Sequence, residues 1–392
     1  MKRWIILMAI GGFIASADGQ TTLPAAKPQV ESQIFDLTAT GPPAPAMKYE
    51  LMTDPTLRQS GNAAIYYLDA ALQVGEDTED ALDHLNEGPQ SGKAYDAAAE
   101  ALYQDNKGVF ALLESAARCD RCDWQTSFNQ DGIQTALPRL GRMRLLADLV
   151  RARARQQMRD GDSAGALDTL QLGYELSRDV GREQLLISAE VSLGCIHMMD
   201  GATEELMQDP DSPNLYWALA AMPHPMVNLR HTMEGERIFE LTAMPAGYLF
   251  AFGANYRAAA DDLYKLWQLP YPVLIPRLGA MAESARQATA TATGKITTVL
   301  DVAAPSLERA VKTFARVDRE LAALTAVEAI RSYAAAHQGQ LPRQLADVTD
   351  TPAPDNPATG KAFDYRLNGE TAVLSDSNPW LPPLRYAIRI RR

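Results

Sequence analysis

Two of the chain's 3 cysteines, Cys119 and Cys122, have the C-x-x-C spacing that is used in disulfides, metal sites and redox centres. The pair follows a helical pattern, whereas a thioredoxin-type pair opens a helix after a strand. Zinc would need further ligands, and Cys195 and His197 point to different sides of one predicted helix. We therefore expect either a disulfide between Cys119 and Cys122, as in an oxidising compartment, or two structural thiols.

The stretch from Gly161 to Gly165 matches the G-x-S-x-G pattern of serine hydrolases. That nucleophile needs a strand before it, so that the serine hydroxyl stands on a strained turn. Here the preceding residues, RARARQQMRD, have a charged helical pattern. The stretch is therefore predicted to be a turn between two helices, in which Asp162 or Ser163 caps the second helix through a side-chain oxygen.

A third group, His231, Glu234 and Glu236, lies in the stretch RHTMEGER. His231 and Glu234 share a helical face, as metal ligands or an acid–base pair would. An enzyme would need both side chains and another polar group to converge in a pocket. The simpler interpretation, which we favour, is a solvated charged face shared with Arg230 and Arg237.

The composition limits the classes of function. The chain has 392 residues, of which 46% are hydrophobic and 22% charged, so a disordered chain, a collagen and a coiled-coil rod are excluded. Its formal net charge of −12 argues against nucleic acid as a partner, because phosphate contacts need clustered cations. Gly294 and Lys295 are followed by Ile296 instead of Ser or Thr, which excludes a phosphate-binding loop. The sequence predicts no cofactor and no metal.

The N-terminal part of the chain indicates export. A basic pair precedes an apolar run from Trp4 to Ile14, and a small-residue site ends at Ala17, which is the pattern of a signal peptide over residues 1–17. The run is shorter than the roughly 20 residues of a membrane span, so we expect cleavage, with an uncleaved anchor as the alternative. Residues 18–50 are rich in proline and are predicted to be a mobile linker with one short extended segment at Ile34 and Phe35. The expected location is periplasmic or secreted, with no stable membrane span after cleavage.

Residues 51–304 are predicted to be a helical body, because apolar residues recur every three or four positions and the polar connections are short. The predicted helices cover residues 61–74, 95–117, 140–158, 164–180, 182–199, 226–241, 247–269 and 278–290, with a short helix around 215–217.

Residues 305–392 are predicted to form a long helix followed by a small antiparallel sheet. Pro305 begins the helix, since a proline at the first position loses no hydrogen bond. Asn368 and Gly369 join two short strand patterns in a hairpin, because both residues tolerate positive φ, and residues 386–390 supply a last strand. The predicted fold class is mainly α: an antiparallel helical bundle or a tetratricopeptide-like solenoid with a small C-terminal α+β module.

One helix pair resembles a tetratricopeptide repeat. Ala154, Ala166, Leu170 and Gly173 occupy its small and apolar positions, which implies close packing of the two helices. The whole chain also resembles uncharacterised exported helical proteins of planctomycete type, through the stretches GNAAIYYLDA, RCDW, SPNLYWALAAMP and LPRQLADV, with DNPATGKAF. That resemblance implies export and a helical architecture.

The C-terminal stretch VEAIRSYAAAHQGQLPRQLADV, with the loop from Asp355 to Tyr365, resembles the globular end of the major pseudopilin of the general secretion pathway. The resemblance implies a helix packed on a small antiparallel sheet. The loop of that family can hold calcium, but here Asp355 and Asp364 would supply too few oxygens for the ion.

Together these patterns predict an interaction or scaffold protein of the cell envelope, whose partner is another envelope protein. We expect exposed aromatic side chains to line a concave helical groove: Tyr66, Tyr67, Tyr216 and Trp217. One alternative is an envelope hydrolase or metal-dependent enzyme. The other is an accessory of a pseudopilin-type secretion system.

Overall fold

A computed structural model describes residues 31–75, 77–87, 92–125, 136–243, 261, 263–291 and 299–391. Within these residues the chain is mainly helical, with a four-stranded mixed sheet and a separate two-stranded parallel sheet. The helices are α1 (Ala63–Gln73), α2 (Asp77–Glu87), α3 (Lys93–Asp105), α4 (Lys107–Ala117), α5 (Ala136–Arg159), α6 (Ser163–Gly181), α7 (Leu186–Met207), α8 (Tyr216–Ala220), α9 (Leu229–Ala243), α10 (Tyr271–Thr291) and α11 (Val299–Ala336). The strands are β1 (Glu31–Thr38), β2 (Gln59–Asn62), β3 (Cys119–Arg121), β4 (Asp364–Asn368), β5 (Thr371–Asp376) and β6 (Leu384–Arg391). The predicted fold class, mainly α with a small C-terminal α+β module, is confirmed.

Most of the predicted helices are confirmed, and one is divided. The helix predicted over 95–117 is two helices, α3 and α4, because the backbone of Asn106 leaves the helical region (φ −110°, ψ 17°). The Asn106 side chain donates to the Leu102 carbonyl at 2.9 Å, which completes the break. The sequence patterns do not predict α2. Most of the helix predicted over 247–269 lies outside the described residues.

The connection between α5 and α6 is a short turn in which Gly161 takes a φ of +76°. Gly173 of α6 allows close packing against α5 and α7. A Cβ at this position would overlap the sulfur of Met199 and lie 3.0 Å from Cγ1 of Val150. The other positions of the tetratricopeptide-like pair are fully buried: Ala154, Ala166 and Leu170. The pair therefore packs as closely as its small residues imply, and its family resemblance stays a prediction.

The long helix α11 connects the helical body with the sheet. It has 38 residues, which is about 57 Å at 1.5 Å per residue. The prediction that Pro305 begins it is wrong, because the helix starts at Val299. A proline costs one main-chain hydrogen bond there, and burial of the neighbouring Ala304 and Leu307 stabilises the helix. Side chains of α11, the body and the sheet share one hydrophobic core, so residue 304 is not a boundary within that core.

The C-terminal sheet has the strand order β1-β6-β5-β4. The hairpin of β4 and β5 is confirmed: Asn368 pairs with Thr371, and Gly369 makes the turn at a φ of +61°. The last strand, β6, is confirmed as well and runs antiparallel to β5. Alternate residues of β5 and β6 are buried, so one face of the sheet packs on the core.

Strand β1 corrects two predictions. Residues 31–38 are not a linker, because they form this strand, and Phe35 and Leu37 are fully buried. The sheet is not wholly antiparallel, since β1 pairs with β6 in parallel. The sequence predicts only a short extended segment at Ile34 and Phe35, because the hydrogen-bonding partner of the strand lies far away along the chain.

A buried arginine of α11 holds the end of β1. Arg331 is fully buried and donates to the carbonyl oxygens of Thr38 at 2.7 Å, Ser212 at 2.7 Å and Pro213 at 3.1 Å. Its charge is paired with Glu328, which is also fully buried, at 3.2 Å. The N-terminal strand and the loop before α8 are therefore joined to α11 by one side chain.

Candidate functional site

The outer side of α1 exposes large apolar side chains. Ile65, Leu68 and Leu72 are 57%, 39% and 84% exposed. Their spacing of three and four residues places them on one side of the helix, and we call these three residues the α1 apolar face. The predicted helix is therefore confirmed, but the side chains that carry its apolar spacing point away from the core.

The inner side of α1 explains this orientation. Ala63, Ala64 and Ala70 are buried, and such small side chains let the helix lie close to the body. Asn62 caps the helix by accepting a hydrogen bond from the backbone N–H of Ala64 at 3.3 Å. Apolar spacing predicts the helix, whereas the packing of small side chains decides which of its sides is buried.

Tyr66 and Tyr67 have opposite environments. Tyr66 is 36% exposed beside the α1 apolar face. Tyr67 is fully buried, so the prediction that it is exposed is wrong. Its ring stacks on Trp124 with the centroids 5.9 Å apart, and its hydroxyl donates to Oδ2 of Asp179 at 3.3 Å. A buried tyrosine needs such a partner for its hydroxyl.

Tyr216 and Trp217 lie in a separate cluster with Ala329 and Val348. Tyr216 is 5% exposed, and its hydroxyl donates to the Pro352 carbonyl at 2.8 Å, so the prediction that it is exposed is also wrong. Its ring contacts Trp217 edge-on, with the centroids 4.9 Å apart, and Trp217 is half-buried. The expected aromatic groove is therefore not formed by these four residues together, and Tyr66 is the one beside an exposed apolar surface.

A buried ionic network lies beneath α1 and fixes its position. Glu175 of α6 is fully buried and is paired with Arg58. Asp179 accepts the Tyr67 hydroxyl and is paired with Arg182 at 3.0 Å. Burial raises the pKa of Asp179 to about 6, although the neighbouring arginines oppose the shift. The network anchors the inner side of α1 and leaves its outer side uncovered.

The cysteine pair has no disulfide. All 3 cysteines are free thiols, and Cys119 donates to the carbonyl oxygen of Ser115 at 3.5 Å. Cys119 begins the extended strand β3 and Cys122 directly follows its last residue, Arg121, and an extended chain separates residues three apart by about 10 Å. A disulfide requires Cα atoms within about 7 Å. Burial raises the pKa of the Cys122 thiol and of the Cys195 thiol, which disfavours the reactive thiolate.

The G-x-S-x-G stretch is the predicted turn. Asp162 caps α6 by accepting from the backbone N–H of Gly165 at 2.9 Å. Ser163 is the first residue of α6, and the helix α5 precedes the turn in place of the strand that a nucleophile requires. The serine therefore lacks the backbone geometry of a hydrolase nucleophile.

His231, Glu234 and Glu236 do not converge on one site. His231 Nε2 lies 2.9 Å from the Gln184 side chain, and Glu234 accepts from Arg230 at 2.9 Å. Glu236 is buried and accepts from the backbone N–H of Leu186, where it caps the start of α7. His231 and Glu234 therefore belong to the expected solvated charged face. Glu236 instead has a structural role that the sequence did not indicate.

The described residues hold no group of three or more His, Cys, Asp or Glu that could bind a metal ion. In the C-terminal loop Asp355 is exposed, and Asp364 accepts from the Ser377 hydroxyl at 3.1 Å. Within the same described ranges, no helix is both long and apolar enough to cross a membrane.

Comparisons with known proteins give no relative for this chain. No family model, no curated protein and no solved structure matches it. The interpretation of the site therefore depends on its own geometry and chemistry.

Proposed function

We propose that this protein is an exported interaction protein of the cell envelope, which binds another envelope protein through the α1 apolar face. The observation that carries the proposal is the exposure of Ile65, Leu68 and Leu72 on a helix whose other side is anchored in the core. Contiguous exposed apolar side chains on a soluble surface commonly mark a protein contact.

The surface has the composition of an interface centre. Full burial of a large aliphatic side chain contributes roughly 1.5–3 kcal/mol, and part of that gain offsets the cost of association. Tyr66 lies beside the face, and tyrosine is enriched among residues that dominate binding energy. The exposed Asp69 supplies a polar margin on the same side of the helix.

The location in the envelope rests on the N-terminal sequence. The basic pair, the apolar run and the small-residue site before Asp18 support export through a cleaved signal peptide. Fractionation of cells that express a tagged chain tests this part of the proposal. A tagged protein found with the cytoplasmic enzymes would contradict it.

A second candidate function is an accessory of a pseudopilin-type secretion system. It is supported by the C-terminal arrangement, in which α11 is followed by the antiparallel strands β4, β5 and β6. The Tyr365 hydroxyl donates to the Pro342 carbonyl at 2.7 Å and ties the sheet to the segment after the helix. This candidate predicts that the partner captured at α1 is a pseudopilin.

The experiment is site-specific photo-crosslinking in the native envelope. A crosslinking amino acid at Leu72, which is 84% exposed, should capture one dominant partner. The same group at Ile238 of α9, which is 54% exposed, should not capture that partner. Equal capture at both positions would show that the contact is not made by α1.

A matched pair of substitutions tests the energetics. Ile65→Asp should lower the affinity for the captured partner by at least tenfold, because a charge is buried in the contact. Ile238→Asp places the same charge at a helical isoleucine of similar exposure, 54% against 57%, and should leave the affinity unchanged. Unaltered binding by a folded Ile65→Asp variant would overturn the proposal.

A further inference from the structure

Three titratable side chains of α7 lie on one side of the helix. His197, Asp200 and Glu204 are spaced by three and four residues. Glu320 of α11 lies 2.8 Å from the first of them, and β6 reaches the last through a tyrosine hydroxyl. We call these four residues the carboxylate cluster. It joins three elements that are far apart in the sequence.

Tyrosine hydroxyls donate to two carboxyl groups of the cluster. Tyr386 of β6, which is buried, donates to Oε1 of Glu204 at 3.0 Å. Tyr174 of α6 donates to Oδ1 of Asp200 at 2.8 Å. The other oxygen of Asp200, Oδ2, is buried without a hydrogen-bond partner. An enclosed carboxyl group with an unpaired oxygen favours the neutral, protonated form.

The third carboxyl group has a cationic partner that faces the solvent. Glu320 is buried and accepts from Arg316 at 2.9 Å and from His197 at 2.8 Å. The side chain of His197 is 53% exposed, so protons reach the cluster from the solvent. Burial disfavours the charge of Glu320, but the contacts with His197 and Arg316 outweigh that effect and lower its pKa. The hydrogen bond to Glu320 raises the pKa of His197.

The pKa values of Glu204 and Asp200 are raised, whereas that of Glu320 is lowered. Burial raises the pKa of Glu204 to about 7, the charge of Glu320 adds to the shift, and the Tyr386 hydrogen bond opposes it. Burial and the charge of Glu320 also raise the pKa of Asp200 well above its usual range. One carboxylate of the cluster is therefore ionised in mild acid while its neighbours hold their protons.

We propose that the carboxylate cluster makes the packing of the C-terminal sheet against α7 sensitive to pH near neutrality. In mild acid Glu204 is neutral and His197 is a cation that neutralises Glu320. As the pH rises through 7, Glu204 ionises, whereas the raised pKa of His197 keeps its charge above the usual range. Two carboxylates of neighbouring helices, Glu204 and Glu320, then face each other, and their repulsion, which grows as the imidazolium is lost, loosens the contact at Tyr386.

Other charged or hydroxyl-bearing groups also act on the carboxylate cluster. Glu205 of α7 and Tyr386 of β6 act on Glu204. Asp318 of α11 and Tyr174 of α6 act on Asp200, and Arg316 of α11 acts on Glu320. The cation of this set, Arg316, remains charged throughout the neutral range. The change of charge within the cluster comes from Glu204 and His197, and the nearby Asp318, whose pKa burial raises to about 7, titrates in the same range.

Hydrogen exchange of the β6 amides tests the proposal. After correction for the intrinsic pH dependence of exchange, protection of residues Leu384–Arg391 in the full chain should fall about tenfold from pH 5.5 to pH 8.0. Glu204→Gln keeps an acceptor for Tyr386 but cannot ionise, so its protection should fall by a clearly smaller factor than that of the native chain.

Glu205→Gln is the matched control. Glu205 is the next residue of α7, its side chain is 43% exposed, and it is paired with Arg155 of α5. This variant should keep the pH dependence of the native chain. The proposal is overturned if Glu204→Gln shows the native pH dependence, or if the native protein shows none.

Tyr386→Phe supplies a second test if Glu204→Gln does not fold. Removal of the hydroxyl donor removes the hydrogen bond that opposes the shift at Glu204. The midpoint of the pH-dependent exchange should therefore move to higher pH. An unchanged midpoint would show that the transition does not come from Glu204.

Discussion

Gly235 of α9 lies directly against the backbone of Gln184, just before α7 begins. A Cβ on residue 235 would overlap the Gln184 carbonyl oxygen and lie 2.7 Å from its carbonyl carbon. The next residue, Glu236, accepts from the backbone N–H of Leu186 and caps α7. Two consecutive residues of α9 therefore hold the start of α7.

We expect Gly235→Ala to destabilise the protein by roughly 1–3 kcal/mol, because the backbone of Gln184 must move to admit a methyl group. Gly194→Ala within α7 is the control. A Cβ there meets no atom within 4 Å, so alanine should stabilise the helix by about 0.5–1 kcal/mol. Denaturant unfolding of both variants measures the difference. Equal stability of the two variants would contradict the close approach at Gly235.

The second prediction concerns the buried pair of Arg331 and Glu328. Arg331→Met should destabilise the protein by about 3–5 kcal/mol, because it leaves a buried carboxyl group and several carbonyl oxygens without their donor. Adding Glu328→Gln should recover part of that loss, since the unpaired charge is then removed. Arg230→Met removes an exposed pair with Glu234 and should leave the melting temperature unchanged. If Arg331→Met melts like the native protein, the pairing at α11 is not what holds β1.

The third prediction is that the protein is more stable in mild acid than in mild base. Burial raises the pKa of Asp318 and of Glu328 to about 7, and that of Asp179 to about 6. In the unfolded chain such groups have pKa values near 4, so between pH 5 and 8 unfolding releases protons that the folded state holds. This contribution to stability is complete below the unfolded pKa values and is lost as the pH rises through the folded values.

The melting temperature should therefore fall from pH 5 to pH 8 in calorimetry at constant ionic strength. Asp318→Asn should flatten the curve, because the amide oxygen of the variant can still accept from the Tyr271 hydroxyl but the amide does not titrate. Asp36→Asn at the surface should leave the slope as it is. A melting temperature that rises over this interval would count against the buried carboxyl groups as its cause.

The fourth prediction is that the folded protein carries three reduced cysteines. Denaturation without reductant, followed by alkylation, should add three groups as measured by intact mass. In the folded protein Cys195 should react slowly, because the thiol is buried and burial raises its pKa. A single alkylation under denaturing conditions would reveal a disulfide and would overturn the extended geometry of β3.

Features that depend on neighbouring residues could be predicted from the sequence. The turn at Gly369 and the cap by Asp162 are such features, because each needs only the conformational freedom or the side-chain oxygen of a nearby residue. The environments of Tyr66 and Tyr67 could not be predicted in this way. The two side chains point about 100° apart on one helix, and only the packing of that helix decides which is buried.

The candidate sites also combine features that the sequence shows with features that depend on the fold. The spacing of Ile65, Leu68 and Leu72 is visible in the sequence, but their exposure follows from the burial of the small residues on the other side of α1. The spacing of the titratable residues on α7 is equally visible. Their chemistry depends on Glu320 and Tyr386, which reach them only through the fold.

The sequence by itself determined the helical class, the C-terminal hairpin and the turn at Asp162, since helical periodicity and turn chemistry act over a few residues. Only the tertiary structure decided that β1 completes the sheet with β6, that α1 presents its large side chains to the solvent, and that Glu204 lies against Tyr386. The physical reason is that burial and pairing depend on groups brought together from distant parts of the chain. Local propensity carries no information about those partners.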